Sequence, residues 1–276
     1  MSPVRVAPRV WLITGASSGF GLELAKVVLE MDELVVGVCR HPEALKTLAD
    51  AHPNTFIAVR CDVTIPSDIT AAFAAAISKF GHVDVVFNSA GLAILGELEA
   101  TPDDAARSLF EVNFWGALAV SKEAVRVFRD VNPAGCGGRL LNVSSGVGFG
   151  GAPLTGMYAA SKFAVEGFTE ALAREVDPAW NIKISILGPG AFKTGMHNDR
   201  TIKVPIPAPY DDPNLPSRAV RDWFADDSNI KGDPRRRRAH VFQVFELGEA
   251  ADAVKWVTEE NDLYESWSDG LERSDA

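Results

Sequence analysis

The 276-residue sequence lacks any apolar run long enough to span a bilayer, since nothing in it approaches about 18 consecutive apolar residues. No apolar stretch typical of a signal peptide precedes RVWLITG near the N-terminus. Cysteine is scarce: Cys39, Cys61 and Cys136 form an odd set without the spacing of metal ligands. These features predict a soluble cytoplasmic protein with reduced thiols, no disulfide framework, no bound metal and no membrane partner.

Basic charge is also in short supply, because 27 lysines and arginines stand against 37 aspartates and glutamates, giving a net charge of −10. This balance argues against a general affinity for nucleic acid or anionic lipid. The single basic run, Arg235–Arg238, supplies few phosphate contacts, and a solvated helix face is its simpler interpretation. A small molecule is therefore the expected partner.

Six short apolar runs alternate with segments of helical length, which is typical of βαβ units in a parallel sheet. The runs are VWLIT, LVVGV, FIAV, VDVVF, RLLNV and IKISIL. Between them, SDITAAFAAAISKFG predicts a crossover helix with a serine or aspartate N-cap and a glycine stop. The pattern predicts an α/β fold, with one doubly wound domain over residues 1–276.

The composition changes after residue 188, where prolines become frequent and the periodic spacing of apolar residues is lost. Residues 191–235 are therefore predicted to form a substrate loop or lid rather than a second domain. We expect this segment to offer little regular hydrogen bonding and to close over bound ligands.

The stretch TGASSGFG follows the first apolar run and opens a helical segment. Glycines at such a strand-to-helix turn let the backbone approach a pyrophosphate, which the helix N-terminus favours. A tight turn without a ligand is one alternative. The other is a G-x-S-x-G nucleophile elbow with Ser17, as in a serine hydrolase, but no earlier loop exists to supply its oxyanion hole.

The stretch MYAASKF places Tyr158 four residues before Lys162. Residues at this spacing lie about 5–6 Å apart on one helix face, so the phenol and the ammonium can share a pocket. An exposed pair on a solvated helix would show the same spacing. Taken alone, the pattern leaves both interpretations open.

Six motifs occur in order over about 180 residues. They are T-G-x-x-x-G-x-G with Thr14, Gly15, Gly19 and Gly21; N-x-A-G as Asn88, Ser89, Ala90 and Gly91; Asn113 in EVNFWG; Ser145 in LLNVSSGVG; Y-x-x-x-K with Tyr158 and Lys162; and P-G-x-x-x-T with Pro189, Gly190 and Thr194. This ordered set resembles the short-chain dehydrogenase/reductase family. Ser89 departs from the family pattern, which often repeats asparagine there, and the last 45 residues match it only loosely.

The resemblance implies a single-domain Rossmann fold, with a mostly seven-stranded parallel sheet and helices on both faces. It also implies an enzyme that interconverts a carbonyl and a secondary alcohol, as a homodimer or homotetramer. In that family pattern Tyr158 is the general acid and base, and Ser145 holds the substrate oxygen. Lys162 lowers the phenol pKa and binds the nicotinamide ribose, while Asn113 holds a water that links Lys162 to solvent.

The same resemblance assigns a set of cofactor-binding residues. They are Gly15, Ser17, Ser18, Gly19, Phe20, Arg40, Asp62, Val63, Asn88, Ala90, Gly91, Tyr158, Lys162, Pro189, Gly190 and Thr194. Arg40 follows the second strand, where an arginine can pair with a 2′-phosphate, so NADP(H) is the expected cofactor. A solvent-facing arginine is the alternative.

Apolar residues near these motifs suggest a hydrophobic ketone as substrate, although several could equally belong to the core. They are Trp115, Phe149, Leu154, Met157, Phe192 and Met196. A nucleotide-binding sensor or scaffold with little turnover is the main alternative from another functional class.

Overall fold

The protein is described by a computed structural model that covers residues 7–192, 201–230 and 255–257. Its strands are β1 (Val10–Thr14), β2 (Leu34–Cys39), β3 (Phe56–Arg60), β4 (Val85–Asn88), β5 (Ala93–Leu95), β6 (Gly138–Val143), β7 (Ile182–Gly188), β8 (Thr201–Lys203) and β9 (Lys255–Val257). Within these residues, seven strands form one parallel sheet in the order β3-β2-β1-β4-β6-β7-β9. All six apolar runs of the sequence are strands of this sheet.

Helices connect the strands. They are α1 (Gly19–Glu30), α2 (Lys46–Ala51), α3 (Pro66–Phe80), α4 (Asp103–Phe110), α5 (Ala117–Asp130), α6 (Gly156–Glu175) and α7 (Pro216–Ala225). A π-helical turn, Glu111–Gly116, joins α4 to α5. In the described part of the chain, no helix combines the length and apolar character needed to cross a membrane.

Strand β1 shows why the sheet is covered on both faces. Val10 and Leu12 belong to one buried cluster, which includes residues of α3 and α5. Trp11 and Ile13 point to the other face, where they join a cluster that includes residues of α1. Since all five residues of the strand are buried, a continuous apolar run was needed here rather than an alternating one. The expected doubly wound Rossmann architecture is confirmed.

The crossover helix α3 ends as its sequence predicts but begins differently. Gly81 terminates it in the left-handed conformation, with φ of +89°. At the other end, Pro66 occupies the first turn and Ile65 is the N-cap, without a side-chain capping bond. Asp68, a predicted cap, instead accepts a hydrogen bond of 3.0 Å from the backbone N–H of Asp62. The predicted serine or aspartate cap is therefore wrong.

The strand order reverses between β1 and β4, which are neighbours in the sheet. One crossover path leads from β1 to β2 and β3, and the other leads from β4 to β6 and β7. At such a point the loops that follow the two strands diverge and leave a crevice at the carboxyl edge of the sheet. The segments that follow β1, β4, β6 and β7 all begin at this carboxyl edge of the sheet.

Candidate active site

The turn between β1 and α1 is compact because it is built from glycine. Gly15 and Gly19 have φ of +69° and +55°, in the region that side chains disfavour. A Cβ on Gly15 would lie 3.1 Å from Ala90 Cα, and one on Gly21 would lie 2.7 Å from the Gly15 carbonyl oxygen. Side chains at these positions would strain or obstruct the turn.

The start of α1 has the features of an anion site. Ser18 precedes the helix in extended conformation, with φ of −165°, and its side chain makes no capping hydrogen bond. The first N–H groups of a helix have no partner within that helix, and the helix dipole favours negative charge there. The turn also lies at the reversal of strand order. A glycine cradle and a helix N-terminus fit the pyrophosphate of a dinucleotide.

Thr14 ties this turn to the loop after β4. Its Oγ1 atom donates to Asn88 Oδ1 at 3.1 Å and accepts from the N–H groups of Ser89 at 3.0 Å and Ala90 at 3.1 Å. The Ser89 hydroxyl in turn donates to the Thr14 carbonyl oxygen at 2.6 Å. The first and fourth strands thus hold the backbone of Ala90 beside Gly15, and the serine that replaces the family's second asparagine is part of this connection.

The side chain of Asn88 is used within the protein. Its Nδ2 atom donates to the Ala117 carbonyl oxygen and to Asn142 Oδ1, both at 2.9 Å, and the residue is buried. It therefore connects β4 to β6 and to the start of α5. The assignment of Asn88 to cofactor binding stays a prediction, and its side chain is held by these contacts within the fold.

Arg40 and Asp62 come together after β2 and β3. Arg40 is exposed, and Val63 beside Asp62 is buried. Partial burial acts to raise the pKa of Asp62, but hydrogen bonds from Thr64 and the charges of Arg40 and Arg60 hold it below its usual range. The structure therefore places an exposed guanidinium beside the residues expected to bracket adenine.

Tyr158, Ser145 and Lys162 meet where the N-terminal part of α6 crosses the end of β6. The Tyr158 hydroxyl is hydrogen-bonded to the Ser145 side chain. Lys162 Nζ lies 5.8 Å from the centroid of the Tyr158 ring and donates to the Val143 carbonyl oxygen at 2.9 Å. The structure thus brings the Ser145 hydroxyl, which comes 13 residues earlier in the sequence, to the phenol and ammonium groups of α6.

Burial dominates the electrostatics of this group. It raises the pKa of Tyr158 above its usual value, although the hydrogen bond to Ser145 acts in the opposite direction. It also lowers the pKa of Lys162 to about 8, against an opposing effect of the Glu166 charge. In the protein alone, desolvation of the phenolate therefore outweighs the hydrogen bond to Ser145. The expected lowering of the phenol pKa by Lys162 stays a prediction.

Asn113 lies in the π-helical turn and is buried. Its side chain accepts from the Leu92 N–H at 2.8 Å and donates to the Leu92 carbonyl oxygen at 2.9 Å. It also donates to Ser161 Oγ at 3.1 Å. The predicted contact of Asn113 with a water stays a prediction. The residue lies within a helical irregularity of the kind often found at functional sites.

The segment after β7 closes the site from another side. The Pro189 carbonyl oxygen accepts a hydrogen bond of 2.8 Å from the N–H of Gly146, which follows Ser145 in sequence. Phe192 is buried and packs edge-on against Phe20 of the glycine-rich turn, with ring centroids 5.0 Å apart. Thr194 lies outside the described residues.

The apolar residues suggested for the substrate pocket divide into two groups. Trp115 is 54% exposed and stacks edge-on against Phe114, so it lies on the outer side of the π-helical turn. Met157 packs with Tyr158 against a buried cluster that contains Val204. The other described candidates, Phe149, Leu154 and Phe192, are buried or partly buried, and Met196 lies outside the described residues.

Part of the segment 191–235 has regular structure. Strand β8 pairs in parallel with β5, and α7 docks on the loop after β5 through Arg221. Arg221 forms an ion pair with Glu97, whose side chain is 3% exposed, and donates to the Val204 carbonyl oxygen at 3.2 Å. The expectation of little regular hydrogen bonding is therefore wrong for the described part. Residues 193–200 and 231–235, and the run Arg235–Arg238, lie outside it.

Arg221→Met should lower the free energy of unfolding by about 1–3 kcal/mol, because it leaves a buried carboxylate without its partner. Burial acts to raise the pKa of Glu97, but hydrogen bonding and charge from Arg221 hold it below its usual range. The pair therefore stabilises the fold above the unfolded-state pKa of Glu97, and this stabilisation is lost as the pH falls through the folded-state pKa. Urea denaturation across pH tests this expectation.

Arg218→Met is the matched control, since Arg218 lies on the same helix and makes exposed ion pairs with Asp211 and Asp222. Such pairs contribute about 0–1 kcal/mol. Equal losses in the two variants, or a loss at Arg221 that does not shrink in acid, would contradict a stabilising role for the buried pair.

The histidines within residues 7–192, 201–230 and 255–257 do not complete a hydrolase site around Ser17. His82 pairs with Asp84 at 2.9 Å, just before β4 and therefore at the opposite edge of the sheet. His41 is three-quarters exposed and pairs with Glu43. Those same residues contain no group of three or more His, Cys, Asp or Glu that could hold a metal ion.

Two buried polar residues at the site were missed by sequence reasoning. Ser144 precedes Ser145, and Glu166 follows Lys162 by one helical turn. Their hydroxyl and carboxylate are hydrogen-bonded at 2.6 Å. The four-residue spacing of Glu166 from Lys162 indicated a shared helix face, but its partner Ser144, which directly follows β6, could be recognised only from the fold.

Comparison with known proteins shows the family to which this chain belongs. Residues 9–204 match the sequence pattern described as short chain dehydrogenase. A Schizosaccharomyces pombe protein named uncharacterized oxidoreductase C162.03 is 40% identical over 183 residues, which cover 66% of this chain and 60% of that protein. A 3-ketodihydrosphingosine reductase from Bacteroides thetaiotaomicron is 36% identical over 195 residues, covering 71% of this chain and 68% of the relative.

A solved structure shares nearly the whole architecture. It is a short-chain dehydrogenase from Streptomyces avermitilis, with a TM-score of 0.83 and 27% sequence identity. The match covers 98% of this chain and 96% of the other. The fold, and not only the separate motifs, is therefore shared.

Proposed function

Because the chain belongs to the short-chain dehydrogenase family and is an oxidoreductase of that family, we propose that it is an NADP(H)-dependent enzyme that interconverts a carbonyl and a secondary alcohol. The observation that carries the proposal is the hydrogen bond between Tyr158 and Ser145 beside the Lys162 ammonium. We propose a hydrophobic ketone as substrate, reduced in an NADPH-rich cytosol. The name of the Bacteroides relative, a ketone reductase, supports that substrate class.

When bound, NADPH would supply the hydride for the carbonyl carbon. The Tyr158 hydroxyl would give its proton to the carbonyl oxygen. The Ser145 hydroxyl holds that oxygen beside Tyr158, and both groups stabilise the negative charge that develops on it. The raised pKa keeps Tyr158 protonated before the reaction. The ammonium of Lys162 then stabilises the phenolate that remains.

Three parts of the chain are suited to hold the cofactor. The glycine turn and the start of α1 fit its pyrophosphate, as the positive φ angles and the uncapped helix end indicate. Asp62 and Val63 lie where adenine is expected. Exposed Arg40, whose charge reaches Asp62, would pair with the 2′-phosphate of NADP(H).

Arg40→Ala should weaken NADPH binding by roughly 10- to 150-fold, since hydrogen bonds to charged groups contribute on the order of 1.5–3 kcal/mol. Affinity for NADH should change little, because NADH has no 2′-phosphate. Fluorescence titration of parent and variant with both cofactors measures the difference. Ser17, Ser18 or His41 could share the contact, which would put the loss at the lower end of this range.

Arg126→Ala provides the control for a lost surface arginine, because Arg126 pairs with Glu123 on α5. It should leave the affinity for both cofactors unchanged. Equal losses of NADPH and NADH affinity in Arg40→Ala would indicate a structural arginine. A parent protein that prefers NADH would overturn the assignment of NADP(H).

The proposed activity is tested by following NADPH absorbance with ketones, aldehydes, quinones and steroids. Oxidation of NADPH with at least one hydrophobic ketone is expected. Tight NADPH binding without oxidation across the panel would favour a nucleotide-binding sensor or scaffold. Ester cleavage that disappears in Ser17→Ala would favour a serine hydrolase.

The assembly state and the compartment remain predictions. We propose a homodimer or homotetramer, which light scattering of the purified protein tests directly. A monomer at micromolar concentration would contradict the assembly expected from the family resemblance.

A further inference from the structure

Glu166 is a buried carboxylic acid that the proposed reaction does not use. The residue is 5% exposed and lies on α6, one turn beyond Lys162. Its Oε1 atom accepts a hydrogen bond of 2.6 Å from the Ser144 hydroxyl. Burying a carboxylate costs free energy unless hydrogen bonds or nearby positive charge replace its lost hydration. The contacts of Glu166 should therefore stabilise its charged form.

Three residues of α6 contact the last residue of β6 and the two residues that follow it. Tyr158, Lys162 and Glu166 are spaced four residues apart on α6, so they lie along one face of the helix. Each contacts a different one of the consecutive residues 143–145, of which the first ends β6 and the other two follow it. Tyr158 is bonded to Ser145, Lys162 to the Val143 carbonyl oxygen and Glu166 to Ser144. The contact of Glu166 with Ser144 therefore lies on the same face of α6 as those of Tyr158 and Lys162.

Ser144 is fixed from two directions and transmits this contact to Ser145. Its backbone N–H donates to the Leu187 carbonyl oxygen at 2.7 Å, and the residue is 2% exposed. Gly148 provides the space, because a Cβ there would collide with both Glu166 Oε1 and Ser144 Oγ. The Glu166 carboxylate is therefore closely packed between Gly148 and Ser144, next to the segment that carries Ser145.

Glu166 also provides the charge that opposes the desolvation of Lys162. Burial lowers the pKa of Lys162 to about 8, and the Glu166 charge acts to raise it. The other elements packed against α6 also carry charged residues: Asp103, Asp104 and Arg107 on α4, Glu111 on the π-helical turn, Lys122, Glu123, Arg126, Arg129 and Asp130 on α5, and Lys183 on β7. Of the charges in the described part of the chain, that of Glu166 is the one that acts on Lys162.

We propose that Glu166 is a positioning residue with two effects: it holds the Ser144–Ser145 segment against α6, and it keeps the buried Lys162 amine in its cationic form. The inference rests on the proposed function for its consequence in catalysis. The effect of Glu166 on the protonation of Lys162 concerns the protein alone, so it can be measured without cofactor or substrate.

The first test is an NMR titration of protein labelled with ¹³C at lysine Cε. Lys162→Met identifies the Lys162 signal by its absence. In the parent this signal should titrate near the pKa of about 8, and Glu166→Gln should move its midpoint to lower pH because the opposing negative charge is removed. Ser144→Ala is the matched control, since it removes the hydrogen bond but keeps the charge, and its midpoint should stay near that of the parent.

The second test measures carbonyl reduction. Ser144→Ala should lower kcat by about 2- to 12-fold, the effect of one hydrogen bond, with little change in NADPH affinity. Glu166→Gln should show a similar loss near neutral pH and a larger one as the pH rises, because Lys162 loses its proton earlier. Glu166→Asp keeps the charge on a shorter side chain, so it should restore the pH profile of the parent but not its full rate.

The outcomes separate the two proposals. An unchanged Lys162 titration in Glu166→Gln would overturn the electrostatic effect, whether or not the variant loses stability. Full activity in Ser144→Ala would overturn the positioning effect, and this variant answers the question even where Glu166→Gln fails to fold. A parent that reduces no carbonyl would refute the proposed function, while the titration would still decide the coupling between Glu166 and Lys162.

Discussion

Tyr158→Phe is expected to reduce the rate of carbonyl reduction by roughly 10²–10⁴-fold, the range typical of a lost general acid. The change removes one hydroxyl and keeps the ring, which packs beside Met157 against the cluster around Val204. The hydrogen bond to Ser145 is lost with it. NADPH affinity should persist, because the variant retains the glycine turn and Lys162. Steady-state kinetics and cofactor titration measure the two effects separately.

Tyr210→Phe is the matched control, because it removes the same hydroxyl from a tyrosine of the segment that includes α7. The pKa of Tyr210 is raised by burial and by nearby Glu99 and Glu97, so its hydroxyl belongs to the contacts of that segment. Its rate should stay within a fewfold of the parent. If Tyr158→Phe also stays within a fewfold, Tyr158 is not the acid.

Lys162→Met should harm both cofactor binding and turnover, since one ammonium is expected to serve both. Loss of a charged hydrogen bond to the nicotinamide ribose should weaken NADPH binding by roughly 10- to 150-fold. Turnover at saturating cofactor should fall by roughly 10²–10³-fold, as when an electrostatic contact to developing charge is removed. Isothermal titration and single-turnover kinetics distinguish the two losses.

The protonation of Lys162 predicts how NADPH affinity changes with pH. Since burial lowers the pKa of Lys162 to about 8, the parent amine is cationic below that pH and loses its proton above it. The contribution of the cation to NADPH affinity should therefore decline as the pH rises through about 8 in the protein alone, and Lys162→Met should lack this decline. Lys183→Met, a change on β7, should keep it. Unchanged NADPH affinity in Lys162→Met would break the proposed link between its two roles.

The strands were predictable because a sheet buried on both faces requires continuous apolar runs, as in Val10–Thr14. The glycine turn was predictable for a similar reason: positive φ at Gly15 and Gly19 restricts the residue type. The start of α3 was not, because Pro66 and Asp68 both suit a first turn and only the fold shows that Asp68 accepts from Asp62.

At the site, the sequence predicts residue identities better than their roles. The resemblance to the short-chain dehydrogenase/reductase family identified Tyr158, Lys162, Ser145 and Asn113. The structure places the first three in direct contact or close proximity. The role of the Asn113 side chain depended on Leu92, whose position follows from the path of the chain after β4. The direction of the Tyr158 pKa shift depended on burial, which a spacing of four residues does not reveal.

Long-range polar pairs were the least predictable feature. Glu97 and Arg221 are 124 residues apart in sequence, and their pairing requires α7 to dock on the loop after β5. The contact between Ser144 and Glu166 likewise depends on how α6 crosses β6. Composition and periodicity describe each partner as an ordinary polar residue, because neither records which buried groups meet.

The central claim is hydride transfer to a carbonyl with Tyr158 as the proton donor. The most direct measurement incubates the parent protein and Tyr158→Phe with the ketone panel and NADPH deuterated at C4, using each of the two stereospecific labels, and analyses the products by mass spectrometry. With one of the two labels, the parent is expected to give an alcohol that carries one deuterium on its carbinol carbon, and Tyr158→Phe is expected to give almost none. Bound NADPH without deuterated alcohol from any ketone, or equal deuterated product from both proteins, would contradict it.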